Sequence, residues 1–201
     1  ALDKTGTITE GKPRLVAQES LRAATDAEQV WRLAAAMAAR SDHPVSKALV
    51  QGLALSGGLP EVAGFAAELG RGTQGRIDGR ALVLGNRRWI EERGQLTPAL
   101  AGRLALHEQQ GRSISLLADE EGVLGLFAVA DAIKPGARQA IRELRDLDIT
   151  PVMLTGDNPA TAQAIAAEAG IDQVQAGLLP QQKLDAIRAM AAQQQQVVGM
   201  V

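Results

Sequence analysis

The chain has 201 residues and a formal net charge of −2, with 46% hydrophobic and 22% charged residues. These values are typical of a folded globular protein with one or two domains, and they exclude the basic surface that nucleic acid or anionic lipid requires. Because the chain has no cysteine and only two histidines, we exclude a disulfide framework and a structural zinc site. We expect no membrane insertion by this chain, since its longest apolar run, at residues 123–130, is far shorter than the roughly 20 residues that span a bilayer.

The last third of the chain alternates strand patterns with helix patterns, as parallel α/β sheets do. Strands are predicted at residues 123–130, 149–154 and 197–201. Helices are predicted to begin at Pro135, Pro159 and Pro180. In the second of these helices, Asn158 is the predicted N-cap and Gly170 the residue that follows the C-terminus. We expect the glutamines at 193–196 to form the solvated end of the third helix.

Residues from about 17 to 122 lack this alternation and are predicted to form a separate α+β unit, inserted after the first strand of the α/β domain. Helices are predicted at residues 30–37, 45–53 and 100–109. Short strands are predicted at residues 61–68, 73–77, 80–84 and 113–117. Tight turns at Asp78-Gly79 and Gly85-Asn86 indicate an antiparallel meander. We place the insert at residues 17–125, and the two parts of the α/β domain at residues 1–16 and 126–201.

The opening residues 3–9 contain a carboxylate, a lysine and three threonines around one glycine, and such groups handle phosphate better than they fill a core. If the opening strand joins the C-terminal sheet, then Asp3, Asp131 and Thr155 all follow carboxyl ends of strands. Open α/β sheets collect their ligand-binding groups at that edge. A carboxylate placed there can attack phosphorus and form an aspartyl-phosphate, so Asp3 is the candidate nucleophile.

Phosphoryl transfer also needs charge neutralisation and positioning. Thr155 offers a hydroxyl to a phosphate oxygen, Gly156 lets the backbone come close, and Lys183 offers a point charge. Mg²⁺ would shield the carboxylate from the polyphosphate.

Each of these residues has a structural alternative. Asp3 could be a solvated chain end, Lys183 a surface lysine, and Asp157-Asn158 a helix cap. Asp131 fits a loop or an N-cap as well as it fits a site. These alternatives weaken when the residues are considered together at one edge of the sheet.

The segment from Gly70 to Gly75 matches the glycine spacing of a dinucleotide-binding fingerprint, but no strand-to-helix context follows it, and we reject that reading. Glycines between strands form a turn or bulge, or let a ligand lie against bare backbone. His43 precedes Pro44, and capping by Ser41 or Asp42 explains this cluster as well as ligand binding does.

The heptapeptide Asp3-Lys4-Thr5-Gly6-Thr7-Ile8-Thr9 resembles the phosphorylation motif of P-type ATPases, cation pumps whose catalytic domain belongs to the haloacid dehalogenase superfamily. The segment from Thr155 to Asn158 and then Lys183 resemble the next two motifs, in the same order. The resemblance implies an α/β haloacid dehalogenase-like phosphorylation domain, in which ATP phosphorylates Asp3 and water later hydrolyses the product. It implies catalytic roles for Asp3, Lys4, Thr5, Thr155, Gly156, Asp157 and Lys183. Asp3 and the backbone of Thr5 would bind Mg²⁺.

The insert resembles the nucleotide-binding domain of heavy-metal P-type ATPases through Ser41-Asp42-His43-Pro44, the glycine segment and Gly85-Asn86. By that likeness, His43 stacks against or orients adenine. The implied nucleotide-binding residues are His43, Gly70, Gly72, Gly75, Gly85 and Asn86. The likeness covers essentially the whole chain, and residues 39–46 and 127–131 look closer to zinc, cadmium and lead exporters than to copper(I) exporters.

The chain departs from the family pattern in two places. Ala38 stands where the family often has a glutamate thought to meet the adenine amino group, which implies looser adenine selectivity. The chain also stops before the acidic segment that helps hold Mg²⁺ in the family. We therefore expect this fragment to bind nucleotide and to phosphorylate poorly.

We interpret the chain as the cytoplasmic ATP-binding and phosphorylation portion of a heavy-metal pump in a bacterial inner membrane. Its expected partners are ATP, ADP and the actuator and transmembrane domains of the same polypeptide. Closure about hinges near residues 12–16 and 124–128 would deliver ATP to Asp3.

Three alternatives stay open: a copper(I) exporter, a soluble haloacid dehalogenase-type phosphatase, and a nucleotide-binding module without turnover. Thr5 disfavours the phosphatase, because such enzymes normally carry an acid at that position.

Overall fold

The computed structural model describes residues 1–23, 25–194 and 197–201. In chain order, the elements in these ranges are β1 (Leu2–Asp3), β2 (Arg14–Ser20), α1 (Ala27–Ala39), α2 (Pro44–Leu53), β3 (Ala63–Glu68), β4 (Gly72–Ile77), β5 (Arg80–Gly85), α3 (Arg87–Glu92), α4 (Pro98–Glu108), β6 (Ser113–Ala118), β7 (Val123–Ala130), α5 (Ala137–Asp146), β8 (Val152–Leu154), α6 (Pro159–Ala169), β9 (Gln173–Gln175) and α7 (Pro180–Gln194). None of the helices in these ranges has the length and apolar character needed to span a bilayer.

These elements belong to two compact units. Unit 1 comprises Ala1–Lys12, Glu108–Gly111 and Asp131–Val201, and unit 2 comprises Pro13–His107 and Arg112–Ala130. The sequence-based boundaries, after residues 16 and 125, lie inside β2 and β7. Because these two strands pair with each other, both belong wholly to unit 2.

Unit 1 is built on a parallel sheet in which β1, β8 and β9 lie side by side in that order. Asp3 is level with Leu154, and Leu154 with Gln175, so the carboxyl ends of all three strands reach one edge. The prediction that the opening strand joins the C-terminal sheet is confirmed. The core of this unit is one apolar cluster of Ile8, Ile141, Met153, Ala162, Ile165, Ala166, Ala169 and Ile171.

The strand expected at residues 149–154 is shorter, because Asp148 has a left-handed backbone (φ 58°) and Pro151 has no N–H to donate. Helix α6 has the predicted ends. Asn158 Oδ1 accepts a hydrogen bond from Thr161 N at 3.0 Å, and Gly170 (φ 80°) ends the helix.

Residues 197–201 do not form the predicted strand. The last residue nevertheless pairs with the backbone beside β1: Val201 N donates to Ala1 O at 3.1 Å, and Asp3 N donates to Val201 O at 2.9 Å. The expectation of a solvated helix end at 193–196 falls outside the fully described residues.

Unit 2 is built on a six-stranded antiparallel sheet in the order β2-β7-β6-β5-β4-β3. Helices α1 and α2 contribute to one apolar cluster, in which Trp31 packs edge-on against Phe127 with 5.4 Å between ring centroids. Helices α3 and α4 contribute to a second cluster, which includes Ile90, Leu104 and Leu116. Both faces of the central strands are therefore buried.

This double burial explains why the assignment of residues 123–130 to the parallel sheet is wrong. Strand β7 pairs antiparallel with β2 and β6. Its nearly continuous apolar sequence reflects helices on both faces, a pattern more common in parallel sheets. The prediction missed β2, whose exposed and half-buried residues alternate.

Only one of the two predicted tight turns is present. Asp78 (φ 50°) and Gly79 (φ 79°) connect β4 to β5 as expected. The predicted turn at Gly85-Asn86 is wrong, because Asn86 instead caps α3, with its Oδ1 accepting from Trp89 N at 3.0 Å.

Asp119 is a nearly buried carboxylate, only 3% exposed, at the end of β6. Arg22 binds both of its oxygens at 2.9 Å, and Arg80 Nε donates to Oδ2 at 3.0 Å. The backbone N–H groups of Glu121 and Gly122 donate to Oδ1 at 2.9 Å. Burial alone would raise the pKa of Asp119, but these hydrogen bonds outweigh it and hold the pKa well below its usual range.

Asp119→Asn should lower the free energy of unfolding by about 3 kcal/mol at pH 7, because two arginines lose the carboxylate they share. Urea unfolding of both proteins measures this difference, and Glu121→Gln, at an exposed side chain, is the control. Since the folded pKa is depressed, the contribution is complete above the unfolded pKa of about 3.9 and is lost as the pH falls below it. The difference should therefore stay constant from pH 7 to about 5 and shrink below about pH 4. A loss that begins near pH 6 would contradict this assignment.

Candidate active site

Asp3 and Lys183 meet at the carboxyl edge of the parallel sheet. Asp3 ends β1, and Lys183 lies in the first turn of α7. Lys183 Nζ is 2.5 Å from Asp3 Oδ1, and the two side chains are 25% and 34% exposed. The predicted nucleophile is therefore accessible from solvent and already paired with a cation.

Lys4 and Asp157 form a second ion pair beside the first. Lys4 Nζ lies 2.6 Å from Asp157 Oδ2, an oxygen shielded from solvent. Because a buried carboxylate oxygen is costly without a cation next to it, Lys4 holds Asp157 in place. The two pairs together carry no net charge.

The loop after β8 positions Asp157. Thr155 is 3% exposed, and its Oγ1 accepts from Asp157 N at 3.2 Å. Gly177 N donates to Asp157 O at 2.7 Å, and Leu178 N donates to Thr155 O at 3.0 Å. A Cβ on Gly156 would lie 3.3 Å from Leu178 O, so a side chain there would crowd this contact.

A wide turn at Lys4–Ile8 carries the rest of the opening motif. Gly6 adopts φ 80° in this turn, and Thr5 has an extended backbone. Thr9 N closes the turn on Lys4 O at 3.0 Å, and Lys134 Nζ donates to Gly6 O at 2.5 Å. Lys134 was missed by the sequence analysis, although a lysine three residues after Asp131 in a polar connection was a usable signal.

Asp131 binds the segment that follows this turn. Its Oδ2 accepts from Thr9 Oγ1 at 2.6 Å and from Gly11 N at 3.1 Å, and its Oδ1 accepts from Lys12 N at 3.1 Å. The expectation that Asp131 follows a strand of the parallel sheet is wrong, because it follows β7 of the antiparallel sheet. Lys12 and Asp131 are the unit 1 residues next to two of the chain's passages into unit 2, so one carboxylate ties those points together.

Mg²⁺ prefers oxygen ligands and commonly takes one or two carboxylates, with phosphate and water completing its shell. The described residues contain no group of three His, Asp or Glu side chains that could hold a metal ion. Both carboxylates at this edge are paired with a lysine, but Asp3 is 34% exposed, whereas Asp157 Oδ2 is shielded from solvent. The partly exposed Asp3 carboxylate fits one position of an Mg²⁺ shell.

The predicted nucleotide-binding glycines cluster in unit 2. Gly72 pairs with Gly85 across β4 and β5, and Asn86 Nδ2 donates to Gly70 O at 2.8 Å. A Cβ on Gly72 would lie 2.2 Å from Leu84 O, and a Cβ on Gly85 would lie 2.5 Å from Trp89 Cε3. Strand packing thus requires both glycines whether or not a ligand is present.

Gly75 and His43 also have structural roles. A Cβ on Gly75 would lie 2.6 Å from Val62 Cγ1. His43 is the N-cap of α2, and its Nδ1 accepts from Val45 N at 3.3 Å. The sequence offered capping by Ser41 or Asp42 as the alternative to ligand binding, and that assignment is wrong, because His43 itself makes the cap.

Comparison with known proteins gives consistent matches along the chain. A model of haloacid dehalogenase-like hydrolases matches residues 1–200. A copper-transporting P-type ATPase of Rhizobium leguminosarum bv. viciae is 38% identical over 196 residues, which cover 95% of this chain and 23% of that protein. The chain therefore spans about a quarter of the length of this relative.

Solved structures agree with the fold. A zinc-transporting PIB-type ATPase in its E2.Pi state matches with a TM-score of 0.60 and 32% identity, covering 95% of this chain and 31% of that one. The catalytic domain of the CPx-ATPase CopB-B matches with a TM-score of 0.76 and 20% identity, covering 99% and 68%. The predicted combination of a haloacid dehalogenase-like parallel sheet with an antiparallel insert is confirmed.

Asp131→Asn should loosen the turn and its exit, because an amide retains one acceptor oxygen and turns an NH₂ group toward donors. We expect the free energy of local opening to fall by about 1–3 kcal/mol. Hydrogen exchange of the Gly11 and Lys12 amides should then be at least fivefold faster. Asp146→Asn, at an exposed position on α5, is the control. Unchanged exchange at both amides would remove Asp131 from this supporting role.

Proposed function

The chain belongs to the haloacid dehalogenase-like hydrolase family, and we propose that it is the ATP-binding and phosphorylation portion of a heavy-metal P-type ATPase. The observation that carries this proposal is the partly exposed Asp3 carboxylate, whose Oδ1 lies 2.5 Å from Lys183 Nζ, together with the Lys4–Asp157 pair. Relatives with copper-transporting and zinc-transporting names support the heavy-metal branch. The complete pump's transport activity, its actuator and transmembrane partners and its place in a bacterial inner membrane are parts of the same proposal.

In the proposed reaction, an Asp3 carboxylate oxygen attacks the γ-phosphorus of ATP. The new O–P bond forms as the bond to the β–γ bridging oxygen breaks, and ADP leaves with that electron pair. Water then attacks the aspartyl-phosphate and releases inorganic phosphate, which regenerates Asp3. Lys183 neutralises the phosphate during both steps, and the Thr155 hydroxyl and Gly156 backbone position it.

Lys4 and Asp157 act as positioning residues. Their ion pair fixes the residue after the nucleophile against the loop after β8, and Lys134 fixes the turn through Gly6 O. Mg²⁺, when bound by Asp3 and the Thr5 backbone, would offset the charge of the polyphosphate.

The nucleotide would be bound by unit 2 through His43 and the cluster of Gly70, Gly72, Gly85 and Asn86, with Gly75 behind it. The glycines leave bare backbone against which a nucleotide can lie. Because strand packing alone also requires several of these glycines, their substitution would disturb the fold as well as the site. Substitution of His43 therefore tests this part of the proposal more directly.

We propose zinc, cadmium or lead as the exported ion rather than copper(I), from the character of residues 39–46 and 127–131. The relatives named above carry both copper and zinc in their names. Comparing Zn²⁺, Cd²⁺, Pb²⁺ and Cu⁺ as activators of ATP hydrolysis by the full-length pump would decide between these ions.

Incubation of the chain with Mg²⁺ and [γ-³²P]ATP should give an acid-stable, hydroxylamine-labile label that is absent from Asp3→Asn. The matched control is Asp146→Asn, which removes an exposed carboxylate of the same unit and should keep the label. A label that persists in Asp3→Asn, or one that Asp146→Asn loses as well, would overturn phosphorylation at Asp3. Phosphate release from small phosphomonoesters would favour the phosphatase alternative.

Substitution of His43 should separate capping from ligand binding. His43→Ala should lower stability by about 1 kcal/mol through loss of the cap, and His43→Asn should retain the cap. Both should weaken ATP binding by about tenfold in calorimetry, which corresponds to about 1.4 kcal/mol. Unchanged affinity in the asparagine variant would remove His43 from the nucleotide site.

A further inference from the structure

The hydroxyl of Thr73, in β4, is buried without a partner. Thr73 is 6% exposed, and its Oγ1 has no hydrogen-bond partner among the residues that the structure describes. A buried hydroxyl without a hydrogen bond destabilises a fold, whereas valine has nearly the same shape and avoids that cost. Among the described residues, no hydrogen bond to this oxygen contributes to the stability of the free protein.

The Thr73 side chain points toward helix α1. Side chains two residues apart on a strand share one face, and a Cβ on Gly75 would lie 3.4 Å from Met37 Sδ of α1. The end of α1 reaches β3, since the Arg40 guanidinium lies 5.8 Å from the centre of the Phe65 ring. Thr73 thus lies on the face where α1 ends and the segment to His43 begins.

Asn86, the amide side chain of the proposed nucleotide site, is already used by the fold. Its Oδ1 accepts from Trp89 N, and its Nδ2 donates to Gly70 O. The Nδ1 atom of His43 is engaged by Val45 N. Thr73, between Gly72 and Gly75, is therefore the position where a polar side-chain atom within this segment lacks a partner.

The surroundings of Thr73 favour an uncharged part of a ligand. Ile77 and Met37, on the same side of the sheet, are buried apolar residues, and a phosphate placed among them would lose its hydration without compensation. The nucleoside part of a nucleotide carries no charge and avoids that cost, and a hydroxyl, which both donates and accepts, can give it one hydrogen bond. A rotation about Cα–Cβ carries Oγ1 to another staggered position while β4 keeps its pairing.

We propose that Thr73 Oγ1 hydrogen-bonds to the nucleoside part of the nucleotide bound by unit 2 and is a specificity-determining residue of that site. This inference rests on the proposed function, because it assumes that unit 2 binds ATP. Thr73 lies between Gly72 and Gly75 but is not one of the predicted nucleotide-binding residues. The inference adds its hydroxyl to that site as a polar contact to the nucleoside.

Calorimetry of ATP and of adenosine binding to the unsubstituted chain, Thr73→Val and Thr73→Ser tests the proposal. Thr73→Val should bind both ligands about three- to tenfold more weakly, and its unfolding midpoint should be equal or higher, because no hydrogen bond of the free protein is lost. Thr73→Ser, which restores the hydroxyl, should recover most of the affinity.

The outcomes distinguish this inference from the proposed function. Normal ATP binding by Thr73→Val would overturn the inference and leave the proposed function standing. A lower unfolding midpoint for Thr73→Val would also overturn it, since the hydroxyl would then serve the fold. Weaker ATP binding with unchanged adenosine binding would move the contact to the phosphates and contradict the assignment. Absence of ATP binding by the unsubstituted chain would overturn both.

Discussion

Two neighbouring ion pairs, Asp3 with Lys183 and Lys4 with Asp157, are the constraint on which the arrangement of unit 1 depends. They connect the end of β1 to α7 and to the loop after β8, so three separate parts of the chain are held at one edge of the sheet. Asp3 remains accessible because it pairs with a partly exposed lysine, whereas the buried oxygen of Asp157 is fixed. The same charges thus serve the fold and leave one carboxylate available for chemistry.

In the proposed reaction, an incoming phosphate would meet a site without net charge. Because Lys183 is paired with Asp3, the phosphate would compete with a carboxylate for the same ammonium group, and charge neutralisation would increase only as the phosphoryl group reaches Asp3. An interaction that strengthens as the bond forms favours the reaction step over simple binding of anions. The contacts of Asp131 and Lys134 fix residues 6–12, which carry and follow the turn at Lys4–Ile8.

Local patterns in the sequence predicted local features well. The Asn158 cap, the Gly170 end of α6 and the Asp78-Gly79 turn depend on neighbouring residues, and all three are present. The motifs named Asp3, Lys4, Asp157 and Lys183, which form the two ion pairs of unit 1, but the sequence did not predict which of these residues pair. Features set by distant partners were not predictable in this way: β7 pairs with β2 across more than 100 residues of chain, and the roles of Asp131 and Lys134 follow from contacts with residues 6–12.

The close approach of Gly72 and Gly85 has a consequence for how such chains diverge. Since a side chain at either position collides with the neighbouring strand or with Trp89, natural selection for folding alone would preserve both glycines. A descendant that had lost its affinity for nucleotides would therefore keep Gly72 and Gly85, because the packing of the strands still requires them. In descendants that no longer bind nucleotides, substitutions would accumulate first at positions where the fold tolerates a different side chain.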